Sequence, residues 1–302
     1  MKAVRQNGQI LCSDVSNGEV YLFDPQHPQA NLPVIASLPN GTSIAGIIEV
    51  EDDVFYAAAT LGNVYSFSFK PNTTSIWQID MRQYTQTGKA PLRKIIDVPE
   101  VLLFNGLTLL SQQHSTILGA DVYAGRVWKL NVHTGAYEVV FDDPFLKGIP
   151  TAKPPFGVNG IRVINKQVSN GTRPTLYFSN TNHGYLGTVP ISLDTGKPTG
   201  SAKLLTDKVP GADDFAVDSC GNIWLTENVQ NTLVRVFPDG HVQTIAGAKN
   251  STTLIGPVSA RFGKGQNDRD TLYVSTDGLT LDSKGQPLTS NGKIATLDIR
   301  DL

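Results

Sequence analysis

Apolar residues recur along this chain in short alternating runs of four to six, each bounded by Gly, Asn, Asp or Ser. The clearest units read as a turn residue, a buried strand, a gap, a second apolar strand ending in an acid or amide, a tight turn and a third strand. One runs from Asn105-Gly106-Leu107-Thr108-Leu109 through Leu118-Gly119-Ala120-Asp121 to Gly125-Arg126-Val127-Trp128. The next joins Asn159-Gly160-Ile161-Arg162-Val163 to Leu176-Tyr177-Phe178-Ser179-Asn180. A third joins Asp213-Asp214-Phe215-Ala216-Val217 to Ile223-Trp224-Leu225-Thr226-Glu227 and Thr232-Leu233-Val234-Arg235-Val236. Fainter copies begin near Ala3, Gly46 and Gly256. Period-two alternation predicts strands that bury one face. A repeat of roughly 45–55 residues with several strands per unit predicts an all-β, six-bladed β-propeller of four-stranded antiparallel blades. The last unit, ending at Lys293-Ile294-Ala295-Thr296-Leu297-Asp298-Ile299, holds only about three strands by the same alternation count, so its blade is expected to be incompletely closed. A continuous repeat argues for a single domain over residues 1–302. Ser16-Asn17-Gly18 and Gly62-Asn63 are hairpin signals, the second between Val54-Phe55-Tyr56-Ala57 and Val64–Phe69. Residues 83–93, 142–155, 165–174 and 276–291 read as loops. No run predicts an amphipathic helix of about 10 residues or more.

In an antiparallel pair the start of one strand and the end of the next share an edge. Asn105, Asn159 and Asp213 start inner strands, and Asp121, Asn180 and Glu227 end second strands. Asp14 and Thr276 hold the second-strand position in their own repeats. These oxygen-bearing side chains are therefore expected on one rim. Three readings stay open: ligands for a hard cation such as Ca²⁺, polar anchors for an organic ligand, and local capping of turns. His183, just after Asn180, is placed to overhang that rim, while His27, His114, His133 and His241 fall in turns. Trp77, Trp128 and Trp224 lie in strands and read as blade packing. No zinc-type Cys/His spacing and no Gly-x-Ser-x-Gly elbow occurs.

Composition narrows the partners. The 302 residues are 40% hydrophobic and 17% charged, with a formal net charge of -2. That is ample for a core, and without a Lys/Arg run it argues against nucleic acid. No apolar run approaches the roughly 18 residues of a membrane-crossing helix. Cys12 and Cys220 are read as buried free thiols rather than a disulfide framework. Asn40, Asn72, Asn170 and Asn250 stand in glycosylation sequons. No secretory h-region follows Met1-Lys2-Ala3-Val4, whereas the sequons point toward the secretory pathway.

With Gly157-Val158-Asn159-Gly160-Ile161, Ala212-Asp213-Asp214-Phe215-Ala216-Val217-Asp218 and Gly221-Asn222-Ile223-Trp224, the chain resembles the six-bladed propellers of the senescence-marker-protein, gluconolactonase and luciferin-regenerating group. With Gly46-Ile47-Ile48-Glu49-Val50, Asn105-Gly106 and Gly256-Pro257-Val258-Ser259 as well, it resembles a fungal branch that looks like the hetero-Diels–Alderases of tropolone–sesquiterpenoid biosynthesis. The first resemblance implies a divalent metal held by a first-blade Glu, an Asn of an Asn-Gly step and an Asp before an inner strand. Asn159 and Asp213 match the last two, Asn105 matches a pocket-lining residue, and Glu49 is the nearest acid to the first. The second implies joining a tropolone-derived ortho-quinone methide to a humulene-type alkene. That chemistry needs no cofactor and would use Asn159, Asn105 or Asn180 as hydrogen-bond donor to the carbonyl. A metal-assisted lactonase, with Asp213 or Glu227 as ligand or base, and a non-catalytic small-molecule-binding propeller are the alternatives. Asn159, Asn105 and Asp213 are the expected catalytic residues; Asn180, Asp121, Glu227, His183 and Thr276 are the expected substrate contacts.

Overall fold

The computed structural model describes residues 2–28, 31–168, 171–265, 267–281 and 287–302. Six antiparallel sheets follow one another along the chain as the blades of a six-bladed β-propeller. The first blade is β1 (Lys2–Val4), β2 (Ile10–Ser13), β3 (Glu19–Phe23) and β4 (Val34–Ser37). The second is β5 (Thr42–Glu51), β6 (Val54–Asn63), β7 (Ser68–Phe69), β8 (Ser75–Asp80) and β9 (Leu92–Asp97), with β7 paired beside the main path. The third is β10 (Phe104–Ser111), β11 (Thr116–Asp121), β12 (Arg126–Asn131) and β13 (Tyr137–Asp142). The fourth is β14 (Val158–Val168), β15 (Gly171–Asn180), β16 (Tyr185–Pro190) and β17 (Lys203–Thr206). The fifth is β18 (Ala212–Val217), β19 (Ile223–Glu227), β20 (Thr232–Val236) and β21 (Val242–Gly247). The last pairs β22 (Pro257–Phe262), β23 (Thr271–Thr276) and β26 (Ile294–Asp298); β24 (Leu279–Leu281) and β25 (Pro287–Thr289) form a separate hairpin. The last blade thus has three strands. The longest α-helix among the described residues is Tyr84–Thr87, and no helix is long and apolar enough to cross a membrane.

Contacts group the chain into two compact units of three blades each: Met1–Asp143 with Ser192–Lys197, and Pro144–Ile191 with Pro198–Leu302. In both, the core is laid down as apolar layers between successive sheets. Leu11, Leu22, Ile44, Phe55 and Ile79 form one layer of the first unit, and Tyr56, Ile76, Phe104, Ile117 and Trp128 the other. In the second unit Tyr177, Leu186, Phe215 and Leu225 form one layer, and Trp224, Leu233, Ala260 and Leu272 another. Each such side chain contributes about 1.5–3 kcal/mol on burial. Within each unit the middle blade is covered on both faces, so its side chains of either parity are buried.

Some loop expectations are corrected. Residues 165–168 and 171–174 are the paired arms of the long β14–β15 hairpin, with Asn165 opposite Pro174 and Gln167 opposite Thr172, while 169 and 170 lie outside the described residues. Polar composition here goes with an antiparallel ladder, not with lack of pairing. Residues 276–291 carry the β24–β25 hairpin, and 83–93 the short helix and the start of β9. The second-blade hairpin turns later than Gly62-Asn63. β6 runs through both, and the Asn63 side-chain oxygen accepts from the Tyr65 and Ser66 amides to shape the next turn. Neither Cys12 nor Cys220 is in a disulfide, but Cys220 is exposed and Cys12 half-buried, which corrects their expected burial. Trp128 and Trp224 are buried, and Trp77 packs on the first core layer, so all three serve blade packing. Asn40, Asn72 and Asn250 are exposed; Asn170 lies outside the described residues.

Candidate functional site

Five inner strands carry a bulge near their start. The ladder shifts register between Ile44 and Ile47, Phe104 and Leu107, Val158 and Ile161, Ala212 and Phe215, and Pro257 and Ser259. In four of them two residues face one on the partner strand: Ala45-Gly46, Asn105-Gly106, Asn159-Gly160 and Asp213-Asp214. A bulge twists the strand and re-aims side chains. It also brings backbones close. A methyl group on Gly46 would lie 2.5 Å from the Asn105 carbonyl oxygen, and one on Gly160 would lie 2.8 Å from the Asp213 carbonyl oxygen. The bulge glycines Gly46 and Gly160 therefore mark where inner strands approach each other.

The expected shared edge exists in every blade concerned. Phe104 pairs with Asp121, Val158 with Asn180, Ala212 with Glu227 and Pro257 with Thr276. What the side chains do there differs. In the second unit, Asn159 is buried. Its Nδ2 donates to Thr181 Oγ1 at 2.9 Å, and that hydroxyl in turn donates to the Ala212 carbonyl at 2.9 Å. The chain of donors fixes the amide orientation and leaves Asn159 Oδ1 buried without a hydrogen-bond partner. The Asn159 amide also donates toward Asp213. Asp213 keeps part of its surface accessible, yet protein surrounds it deeply. Burial, then the negative charges of Asp214 and Asp277, push its carboxyl well above the usual range. Asp277 is pushed up to about 6, chiefly by burial, against the opposing hydrogen bonds from the Leu279 amide and the Asn228 side chain. Asn159, Asp213, Asp277, Asn228 and Thr181 thus form one polar cluster that favours a neutral, proton-bearing carboxyl beside an unspent amide oxygen.

Several of the other expected contacts are committed to the fold, although Asp121 Oδ2 is, like Asn159 Oδ1, buried without a hydrogen-bond partner. Asn180 donates to the Phe145 and Lys147 carbonyls and accepts from the His183 amide, pinning the segment after Pro144. Glu227 is buried, accepts from Thr232 Oγ1, and is pushed up by burial. Thr276 Oγ1 accepts from the Lys293 amide. Asp121 Oδ1 accepts from the Ala124 amide and closes the β11–β12 turn, with burial raising its carboxyl. His183 is exposed and stacks on Tyr185 at 5.6 Å. Asp14 accepts from Ser16 and Asn17 within its own turn. Asn105 is half-buried in the first unit, and no side-chain hydrogen bond of it forms among the described residues.

The metal implied by the resemblance requires a second acid beside Asn159 and Asp213. Glu49 accepts from the Asp53 amide at the β5–β6 turn, the opposite end of its strand from the bulge. Among the described residues no group of three or more His, Cys, Asp or Glu is arranged to hold a metal. The set Glu49, Asn159 and Asp213 does not fit that ion.

Asp277, Asn228, Thr181, Ser179 and Asp214 were missing from the expected site. Two signals pointed to them: hydroxyl residues opposite the bulges at Ser179 and Thr226, and arginines three residues beyond the bulge start at Arg162 and Arg261.

No protein-family model matches the chain. Solved structures place the fold in a broad class of propellers. The luciferin-regenerating enzyme superposes with a TM-score of 0.66 at 12% identity, covering 98% of this chain and 89% of that one. Regucalcin, a calcium-binding protein from Agrobacterium tumefaciens, gives 0.60 at 17% identity, over 91% and 80%. Within that class the chain resembles hetero-Diels–Alderases. It is 25% identical to a "Putative hetero-Diels-Alderase" of Phoma sp, over 92% of this chain and 83% of that protein. It is 22% identical to "Putative hetero-Diels-Alderase asR5" of Sarocladium schorii, over 90% and 73%.

Proposed function

We propose that this protein is a hetero-Diels–Alderase of fungal secondary metabolism, joining a tropolone-derived ortho-quinone methide to a humulene-type alkene. The observation that carries the reading is similarity to two proteins named as hetero-Diels–Alderases, across nine-tenths of the chain. The polar cluster of the second unit suits the chemistry. In such a cycloaddition the four-atom C=C–C=O unit and the alkene form one C–C and one C–O bond, and no atom leaves. The enzyme's work is to hold the two faces together, which supplies up to roughly 7–11 kcal/mol in favourable cases, and to stabilise charge gathering on the carbonyl oxygen. A proton-bearing Asp213 is the donor to that oxygen. Asn159, tied to Thr181 and donating toward Asp213, holds that carboxyl in place. A positioning part replaces the donor role expected for Asn159, because its N–H groups are already spent.

Incubating the protein with a quinone-methide precursor and humulene, with chiral chromatography of the products, tests the reading. A single stereoisomer formed above background, unaffected by EDTA, is expected. Asp213→Asn, which keeps an N–H donor, should retain more turnover than Asp213→Ala. Racemic product at the uncatalysed rate would sink the reading. EDTA-sensitive lactone hydrolysis instead would point to the hydrolase.

A further inference from the structure

One step deeper along the inner strands of the second unit lies a charge imbalance that the rim chemistry leaves unused. Asp214 is fully buried between two arginines from the flanking strands. Arg162 Nη2 on β14 is 2.6 Å from Oδ1, and Arg261 Nη1 on β22 is 2.8 Å from Oδ2. Ser259 Oγ also donates to Oδ2 at 2.8 Å. Two guanidinium groups on one carboxylate leave a net positive charge in a largely enclosed place.

Neither arginine is used up. A guanidinium carries five N–H donors in a rigid fork. Arg162 commits Nη2 to Asp214 and Nη1 to its neighbour's carbonyl, and its head lies 5.4 Å from the centre of the Phe215 ring. Arg261 commits Nη1 alone, to Asp214 and to the Phe215 and Ala260 carbonyls. Among the described residues, Nε of Arg162 and Nε and Nη2 of Arg261 meet no acceptor. None of them is sealed from solvent, unlike Arg235 Nε, which is buried without a partner. The two side chains remain 12% and 16% exposed.

We infer that Arg162 and Arg261 form an oxyanion-binding subsite that takes a planar, delocalised anion such as a tropolonate, enolate or carboxylate. The fork geometry matches two coplanar oxygens. Asp214 and the Phe215 ring already hold the heads, so little ordering is lost on binding. For the tropolonate, the inference rests on the function proposed above, and it names the charged end of that substrate.

Calorimetric titration with sodium tropolonate and sodium benzoate, each against its neutral counterpart O-methyltropolone or benzamide, tests this. The anions should bind at least tenfold more tightly than the neutral pair, and sulfate should compete with them on the unmodified protein. Arg261→Gln leaves Asp214 with Arg162 and Ser259, so the fold should survive, as thermal melts would verify; the tenfold preference should disappear. Equal affinity for charged and neutral probes, no binding of either anion, or an undiminished preference in folded Arg261→Gln would each overturn the inference. Binding of benzoate but not tropolonate would uphold the subsite while removing the tropolone reading of the function.

Discussion

The blade that starts at Phe104 and the blade that starts at Val158 carry the same Asn-Gly step on the same kind of bulge. In the first, Ala120 stands opposite the step. In the second, Ser179 does. Ser179 Oγ accepts from the Gly160 amide at 2.8 Å and donates to the Asp213 carbonyl at 2.6 Å, tying the bulge of one blade to that of the next. Thr226, opposite the fifth-blade bulge, donates to the Asp214 carbonyl within its own blade, whereas Ala58 faces the bulge of the second blade. A bulge frees backbone groups from the ladder, and each left unmade in a buried place costs about 1–3 kcal/mol. In the second unit, hydroxyls satisfy those groups and in doing so hold Asn159 and Asp213 rigid. The half-buried Asn105 of the first unit has no such harness. Identical local sequence therefore produces a fixed polar cluster in one place and an uncommitted side chain in another.

The strongest way to break this contrast is Asp214→Ala. It strands two guanidinium groups in a buried site, and an expected loss of about 3–5 kcal/mol should appear in denaturant unfolding. Ser179→Ala gives the fourth blade the alanine found at Ala120, and should cost about 1–3 kcal/mol by the same measurement. For catalysis, Asn159→Ala should lower kcat/KM by at least about tenfold, roughly 1.4 kcal/mol, without unfolding the protein. Asn105→Ala should change it by less than about threefold. Equal losses in the two mutants would erase the distinction between the units. The smallest effect is on pH dependence. The Asp277 carboxyl is raised from the ordinary range near 4 to about 6, so the folded state holds its proton longer than the unfolded chain. Its contribution is therefore favourable at acid pH and fades as pH climbs from about 4 to about 6. Melting temperature should carry a falling component over that window, and Asp277→Asn should flatten it.

Much of the architecture could be read from local pattern. The alternation at Leu118-Gly119-Ala120-Asp121 or Ile223-Trp224-Leu225-Thr226-Glu227 has a period of two, and Gly125 or Asp239-Gly240 shows where a strand must turn. The three-stranded last blade was legible for the same reason. Reading failed where polarity and pairing part company. Asn165, Lys166 and Gln167 look like a loop because they are polar, yet they pair across the β14–β15 hairpin. At the site, Asn159 and Asp213 were visible as residues that start inner strands, while Asp214 was hidden by its neighbour in the doublet.

The order of strands, the turn positions and the shared rim edge within each blade were determined by sequence alone, because period and turn chemistry act over a few residues. Tertiary structure alone decided that Asn159 Oδ1 stays unpartnered, that Asn180 is consumed by the Phe145 and Lys147 carbonyls, and that Asp214 pairs with arginines 52 and 47 positions away. Desolvation, charge pairing and the direction of a hydrogen bond depend on distances between residues remote in sequence. No local pattern encodes them, and they set the protonation of Asp213 and Asp277 as well.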